Sequence, residues 1–586
     1  MAERRARGYA LRDLIPLLVV VGLLVVGLFV VSGTDWGRNI VRGRIEARIQ
    51  NNSHGIVRIG KITGNLRHGF TLHDLVITDS AHKPFVNAKE VWAKYSLSTF
   101  FGKKIEMDSV RLIKPVIVLD RMPGGKWNYD RIFPRDTVTR QGVRKKTGWG
   151  TWIRFTNVTI IDGDLTVHSP WSPNDTLSPA QKEVAIKRAF TDHMRFDVRR
   201  VRNGFQKTAY YRNINAFLPL LRLEDPAYGY RRAVVSRGAA LAIPFKPPTV
   251  TVKDIHGVFD FDSDSVWFRG VKAILPGTNV SGDGMYSVNN GGMWLRLKSP
   301  KVAAADLRWI HPPIPEVGSG KMDFALDWKN GVEKYQATNA DLTLNSSHLW
   351  GDFGITFVAD TFALHSTDMR ATNLDTRLIQ RILPWMVPPR HGILAGRMKA
   401  AGGQHALLLD GDVTFRDPLS GVSRVVANGE VGFFPKSVRT ENLKLRLMPV
   451  QVALLKEWMP TLPIGGTLTG PVTLNGETDG LMRAQGDVTH VDRTGRSNVV
   501  GKAAFRMGTT PWFDIDARLR PLSLATVGQF APKVGLRGSA AGPFRLVGSL
   551  RDFAVNADLG FSDGGSMSLR GRMDLASRQK GYDLTA

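Results

Sequence analysis

No cysteine occurs among the 586 residues. That absence excludes a disulfide framework, thiolate metal sites and a thiol nucleophile, and it leaves an extracytoplasmic location open. The 13 histidines form no His-x-x-x-His or His-Glu-x-x-His pattern, and no Gly-x-Ser-x-Gly elbow is present, so no local motif marks a zinc hydrolase or a serine esterase. A triad built from distant segments is defined by geometry rather than spacing, but nothing in the sequence nominates one. The expectation is a protein that is not an enzyme and uses no cofactor and no metal. Long apolar runs are scarce too. Only Leu14 to Val31 is long enough to cross a bilayer, which places everything after it on one side of that membrane.

Those 18 residues would span roughly 27 Å as a helix, against a hydrocarbon core of about 30 Å. Arg4, Arg5, Arg7 and Arg12 precede the run, and Ser32-Gly33-Thr34-Asp35 after it is not an Ala-x-Ala cleavage site. An uncleaved, single-pass anchor with a cytoplasmic N-terminus is therefore expected over residues 1–35. The formal net charge of +27 raises the question of nucleic acid. Its distribution answers differently: residues 1–170 carry +13, residues 171–250 carry +8 and the remainder only +6. Charge concentrated toward an anchor suits an anionic bilayer surface, and no nucleic-acid partner is expected.

Past the anchor, Trp36 to Gln50 places Ile40, Val41, Ile45 and Ile49 on one helical face, a short amphipathic connector. From Gly55 onward the apolar period becomes two. Met322, Phe324, Leu326 and Trp328 alternate with Asp323, Ala325, Asp327 and Lys329, Leu443, Leu445 and Leu447 with Lys444 and Arg446, and Ile515, Ala517 and Leu519 with Asp514, Asp516 and Arg518. Such segments are strands with one apolar face. They sit inside a long repeat. Gly320, Gly392, Gly466 and Gly538 recur in steps of 72, 74 and 72 residues, and Asp341, Asp412, Asp487 and Asp558 follow in steps of 71, 75 and 71. Short helical stretches precede the glycines at Ala305 to Ile310, Thr376 to Met386, Gln451 to Met459 and Leu522 to Phe530. A unit of about four strands and one helix cannot bury its apolar face alone, so the units form an elongated array. Trp309, Trp385, Trp458 and Phe530 recur beside prolines in those helices and are expected to seal junctions between units.

The predicted organisation is thus an anchor over 1–35, an N-terminal β region over 36–170, a basic, partly helical insertion over 171–248 with a helix from Pro179 to Phe190, a further β region over 249–319, and repeats over 320–586. The last repeat carries no cap and is expected to be truncated. Two motifs fall short of chemistry. Gly55 to Ile62 has the glycine and lysine spacing of a phosphate loop, but Ile62 cannot hold magnesium and the β-branched interior reads as strand. Asp260, Asp262 and Asp264 begin like a calcium loop, but Ser265 stands where the turn glycine belongs and Val271 where the bidentate glutamate does, which reads as a polar strand end.

Residues 55–130 resemble the N-terminal region of the AsmA-like superfamily. The likeness is carried by Ile59-Gly60-Lys61-Ile62-Thr63-Gly64-Asn65-Leu66 and Gly69-Phe70-Thr71-Leu72-His73-Asp74-Leu75-Val76-Ile77. It continues through Tyr95-Ser96-Leu97, Gly102-Lys103-Lys104-Ile105 and Lys114-Pro115-Val116-Ile117-Val118-Leu119 to Gly125-Lys126-Trp127-Asn128-Tyr129. Leu275-Pro276-Gly277-Thr278, Gly282-Asp283-Gly284 and the repeats are similar to the TamB-like branch, the translocation and assembly module proteins. The resemblance implies an inner-membrane anchor, a periplasmic β-groove with a greasy concave face, and phospholipid passage toward the outer membrane. The C-terminal domain of that branch is missing from this sequence, which leaves contact with an outer-membrane β-barrel partner in question.

A physical reason for a groove stands beside the likeness. A one-sided apolar sheet needs a covering layer or a lipid, and the sequence supplies few helices. The expected fold is mainly β, a transmembrane helix followed by a taco-like β-sheet groove with short helices between repeats. An acyl chain of about sixteen methylenes loses on the order of 13 kcal/mol on entering water, a barrier that a continuous apolar track avoids. Met322, Phe324, Leu326, Trp328, Val472, Leu474, Ile515 and Leu519 are the candidate lining residues, with Thr473 and Asn475 pointing outward. The competing expectation is an assembly factor that holds outer-membrane protein partners by strand addition at open sheet edges. A polyanion-binding role for the 171–248 tract is a third.

Overall fold

A computed structural model describes residues 34–51, 53–64, 69–95, 104–133, 152–173, 175, 177–191, 197–225, 227–243, 249–288, 291–308, 313–329, 331–358, 361–382, 390–434, 437–457, 462–506, 511–530, 535–549, 551–574 and 581–585. The expected span from Leu14 to Val31 lies outside them, as do Trp309, Trp385 and Trp458. Among the described residues no helix is long and apolar enough to cross a membrane. The chain is mainly β and divides into two units, Met1–Ser299 with Asp327–Gly331, and Pro300–Leu326 with Val332–Ala586.

Among the described residues the first unit starts with the helix Asp35–Asn51, whose side chains close the edge of the sheet. Positions 42, 46 and 50 stand one helical turn apart, about 6 Å, close to the two-residue repeat of a strand at about 6.6 Å. Glu46 Oε1 accepts the Ile59 N–H at 2.6 Å, Gln50 Oε1 accepts the Val57 N–H at 3.2 Å, and Arg42 Nη1 donates to the Gly60 carbonyl at 2.7 Å. The unpaired rim of Ile56–Thr63 is thereby occupied, which blunts edge-to-edge aggregation. From Ile56 to Ile62 the phosphate-loop look-alike is part of this strand, extended backbone.

Ile56–Thr63, Gly69–Thr78, Pro84–Tyr95 and Ile105–Asp120 form an antiparallel meander. Ile153–Trp171 then joins Ile105–Asp120 in parallel. The crossover includes the short helix Asn128–Ile132, where Ile132 is fully buried and Asn128 ties down the end of Ile105–Asp120: its Nδ2 donates to Val118 and its Oδ1 accepts from Asp120 N–H. Trp127 Nε1 donates to the Ser263 carbonyl at 2.6 Å.

The tract expected to be an insertion has the expected helix, Pro179–Thr191, and also four strands of the same sheet. Gly204–Glu224 pairs with Ile153–Trp171 on one side and with Arg231–Val235 and Arg237–Ile243 on the other. Val250–Phe261, Ser265–Ile274 and Asn279–Ser287 continue in antiparallel order. The core of this unit is Ala93, Val110, Val158 and Leu218, one residue from each of four adjacent strands, with Phe70, Phe155 and Leu221 packed against them.

The second unit is built from the repeat. Its four-strand sets are Gly318–Lys329 to Thr361–Asp375, Ile393–Gly403 to Val438–Gln451, Thr467–Glu477 to Trp512–Ser523, and Ser539–Ser549 to Gly581–Thr585. From Val332–Leu344 onward each strand pairs antiparallel with the next. Short helices begin at Ala304, Thr376, Val452 and Leu524, where the sequence placed them, but the last two run only to Leu455 and Gly528. Phe530 is 59% exposed and seals no junction. It lies beyond the end of its one-turn helix, Leu524–Gly528.

Of the repeat glycines only Gly320 meets its repeat aspartate; in the later sets the glycine four residues further on makes that contact. A Cβ on Gly320, Gly396, Gly470 or Gly542 would stand 1.9–2.0 Å from the carbonyl oxygen of Asp341, Asp412, Asp487 or Asp558 respectively, so no side chain fits. Gly392, Gly466 and Gly538 serve another end, since their carbonyls accept the N–H of Thr376, Val452 and Leu524, the first helical residues. Gly320 therefore corresponds to Gly396 rather than Gly392, and the glycine against the first short helix is Gly318, whose Cβ would meet Ala304 Cβ at 3.1 Å. A third marker escapes sequence reading. The buried hydroxyls of Ser347, Ser423 and Ser497 accept the backbone N–H of Asp375, Gln451 and Ser523, just before each helix.

Ser423→Ala leaves the Gln451 N–H, aimed at that buried hydroxyl, without its acceptor and is expected to destabilise the second unit by about 1–3 kcal/mol. Urea unfolding of the full chain measures it; a change within error would show that the serine hydroxyl is not the bond that matters.

Candidate functional site

Residues directly opposite each other on neighbouring strands share a face, because the pleat alternates side chains with period two. Register pairs can therefore be followed from strand to strand across the second unit. One such row runs Ala340, Gly351, Met369, Met398, Gly411, Ala427 and Leu445. It continues through Val472, Gly486, Gly501, Ala517, Phe544 and Ala557 to Leu569. Fourteen consecutive strands contribute to it, and no member is polar.

Parallel rows flank it on the same face. Leu443 pairs with Leu474, then come Ala484, Ala503, Ile515, Leu546, Val555, Gly571 and Leu584. On one side Val488, Val499, Leu519 and Gly542 follow, and on the other Met482, Phe505, Phe513, Gly548, Phe553 and Met573. Charged groups on this face, such as Asp417 and Asp492, stand only at strand ends. The opposite face is the complement. Its central row is Asp352, Asp368, Lys399, Asp410, Asn428, Lys444 and Thr473, followed by Gln485, Lys502, Asp516, Arg545, Asn556, Arg570 and Thr585.

Val472, Leu474, Ile515 and Leu519 therefore fall on one continuous apolar face. Met322, Phe324 and Leu326 join them: Gly318, of the same parity on their strand, stands against the Leu344 side chain. Trp328 lies on that strand too, but within the first unit. Thr473 belongs to the polar row. Asn475 also points to the polar side, where its Oδ1 accepts the Asn442 N–H at 2.7 Å and secures a bulge in which Asn442 has φ 48°. Sequence reading missed the glycines and, Ala517 apart, the alanines of the rows, because a small residue adds little to an apolar pattern while leaving the face uncharged.

The apolar face is only partly covered. Leu326 and Leu519 are buried, whereas Val472, Leu474 and Ile515 are half-buried and Met398 is 41% exposed. The first unit has the same two-sidedness. Met107, Phe155, Leu221, Ala233, Phe259, Phe268 and Gly284 form an apolar row over seven strands, and this side holds the unit's core.

On the polar side, cross-strand ion pairs fix neighbouring strands. Arg397 grips Asp368 at 3.0 and 3.1 Å and Arg424 grips Asp412 at 2.9 and 2.7 Å, while Arg572 pairs with Asp552. The Arg397 hydrogen bonds hold the Asp368 carboxyl down to about 2, and Arg424 and Arg572 likewise hold Asp412 and Asp552 below the usual carboxylate range. Asp262, from the calcium-loop look-alike, accepts the N–H groups of Asp264 and Ser265 and so caps a turn, while Asp260 is held by Arg232.

Depressed carboxyl values give stability that is complete above the ordinary value of 3.8 and is lost as pH falls through the folded-state values, to about 2 for Asp368. The thermal midpoint of the second unit should therefore fall between about pH 4 and pH 2, less steeply in Asp368→Asn. A midpoint unchanged across that window would mean these pairs contribute nothing.

Compared with protein-family models, curated proteins and solved structures, the chain matches none.

Proposed function

We propose that the protein is an envelope lipid carrier whose apolar sheet face conducts the acyl chains of glycerophospholipids while their head groups stay in water. The observation that carries this reading is the uncharged row from Ala340 to Leu569. A carrier that merely holds a ligand needs a pocket, whereas one that moves it needs successive sites of nearly equal energy. Rows of Ala, Gly, Val, Leu, Met and Phe repeated on every strand provide that. A single charge among them would cost an acyl chain ~2.5–3.5 kcal/mol on the scale measured for apolar membrane interiors.

In the setting that the resemblance to AsmA-like and TamB-like proteins implies, residues 1–35 anchor the chain in the inner membrane and the bulk is periplasmic. Lipid then passes toward the outer membrane, where a β-barrel protein is the expected partner. Partly exposed Val472, Leu474 and Ile515 support the reading, since a face of this kind is stable in water only with a cover.

Leu474→Arg tests it. The long side chain reaches water, so folding should survive, but retained glycerophospholipid should drop about tenfold or more. Thr473→Arg, one residue away on the polar face, should retain wild-type lipid; Asn475 is a poor control because it secures the Asn442 bulge. Lipid extraction and mass spectrometry of the full chain purified in mild detergent reads both. Equal lipid in the two variants, or none in the wild type, would sink the carrier reading and favour a scaffold that acts through its strand edges.

A further inference from the structure

The polar face of the first unit contains an arrangement that lipid passage on the other side does not use. Following register pairs, Glu106 stands opposite Arg154, Arg154 opposite Arg222, Arg222 opposite Arg232, and Arg232 opposite Asp260. Three arginines thus sit side by side on adjacent strands, where directly opposed like charges are unfavourable.

The two outer arginines have carboxylates. Arg232 makes a two-point contact with Asp260 at 2.7 and 3.0 Å, and Asp260, only 1% exposed, also takes Arg269 at 3.3 Å. Arg154 has Glu106 at 4.0 Å. The middle one has none. Arg222 is 8% exposed, and its Nε and Nη2 donors are buried without a hydrogen-bond partner. Arg154 Nε and, two residues before it, Trp152 Nε1 are likewise buried and unpartnered.

Burying guanidinium donors unpaired is costly. The ring of Tyr228, 3.7 Å from the Arg222 guanidinium carbon, offsets part of its charge but accepts none of its in-plane N–H groups. Tyr230 cannot complete the set, because its hydroxyl accepts from Arg232 at 3.3 Å. Glu224, the neighbouring carboxylate on the strand, faces Arg231 at 3.4 Å. What the geometry lacks is an acceptor with several oxygens and negative charge.

We propose that Arg222, with Arg154 beside it, is an anion-binding site for a phosphate group. The planar guanidinium edge presents parallel donors that match two phosphate oxygens, and Tyr228 stacked on its face keeps that edge in place. The ligand is a phosphate monoester, a phosphodiester of the kind found in lipid head groups, or free phosphate. All share the chemistry that the site recognises.

Isothermal titration of the full chain in a nonionic detergent tests it with two soluble probes, inorganic phosphate and glycerophosphoglycerol, the deacylated head group. Binding of either supports the site, and the tighter probe identifies the source as free phosphate or head group. Arg222→Gln should weaken binding at least about tenfold, the loss expected for a charge-assisted bond. Arg154→Gln, at a more exposed position, should weaken it less and serves if Arg222→Gln folds poorly. Without anion, Arg222→Gln should unfold at the same temperature as wild type or higher, because the like-charge row is broken, and its midpoint should no longer rise on adding phosphate. The proposal is overturned if neither probe binds, or if both variants bind as wild type does. These outcomes are independent of whether the opposite face carries acyl chains.

Discussion

Everything the sheet does depends on register. A one-residue slip between two strands would carry every apolar side chain of one of them to the polar side and put its charges in the middle of the apolar face. In a two-layer protein a second sheet would resist such a slip by interdigitation. Here the strands must fix one another, and the molecule uses several devices to do so. The carbonyls of Asp341, Asp412, Asp487 and Asp558 close on Gly320, Gly396, Gly470 and Gly542, positions where any other residue would collide. Asparagines 339, 373 and 442 occupy left-handed backbone at the register shifts, a conformation asparagine tolerates better than most residues. Buried serine hydroxyls then pin the end of every fourth strand before the chain turns into a helix.

These devices let the two faces differ so completely. On the polar side, alternating carboxylates and guanidinium groups both solvate the sheet and tie adjacent strands across it, as Asp368 with Arg397 and Asp412 with Arg424 illustrate. On the apolar side, small residues are interspersed with large ones along the rows and charges stand only at strand ends, while a mid-strand hydroxyl, that of Thr367, is buried and bonded to the Gly354 carbonyl. A surface of this type binds without direction. On a track of this type affinity would be distributed over the rows, with no single residue indispensable for holding a ligand and any one of them able to block it if charged.

Much of this is legible in the sequence, and the reasons differ by element. Period-two alternation at Met322 to Lys329 and at Asp514 to Leu519 marks strands with an apolar side, because the pleat imposes that period wherever one face meets an apolar surface. The repeat is visible because glycine at a close backbone approach cannot be replaced. Its phase in the first set is not, since two glycines with different roles, Gly318 and Gly320, lie two residues apart. The strand Gly204–Glu224 is hidden: Asn213, with φ 51°, and Pro219 interrupt its alternation, and the period of two is lost where Phe217, Leu218, Leu220 and Leu221 run nearly together. The unpartnered Arg222 is equally hidden, because an arginine in a basic tract looks the same whether its donors are satisfied or not.

An apolar face that serves as a track meets lipid along its whole length, whereas one that merely covers something fixed does not. The most direct measurement is site-specific photocrosslinking in living cells, with a photoreactive phenylalanine analogue placed in turn at Met398, Ala427, Val472, Phe544 and Leu569, and at their polar-face neighbours Lys399, Asn428, Thr473, Arg545 and Arg570. A track gives phospholipid adducts at all five apolar positions and at none of the polar ones. Adducts confined to one apolar position, or protein adducts in place of lipid along the whole row, would contradict it.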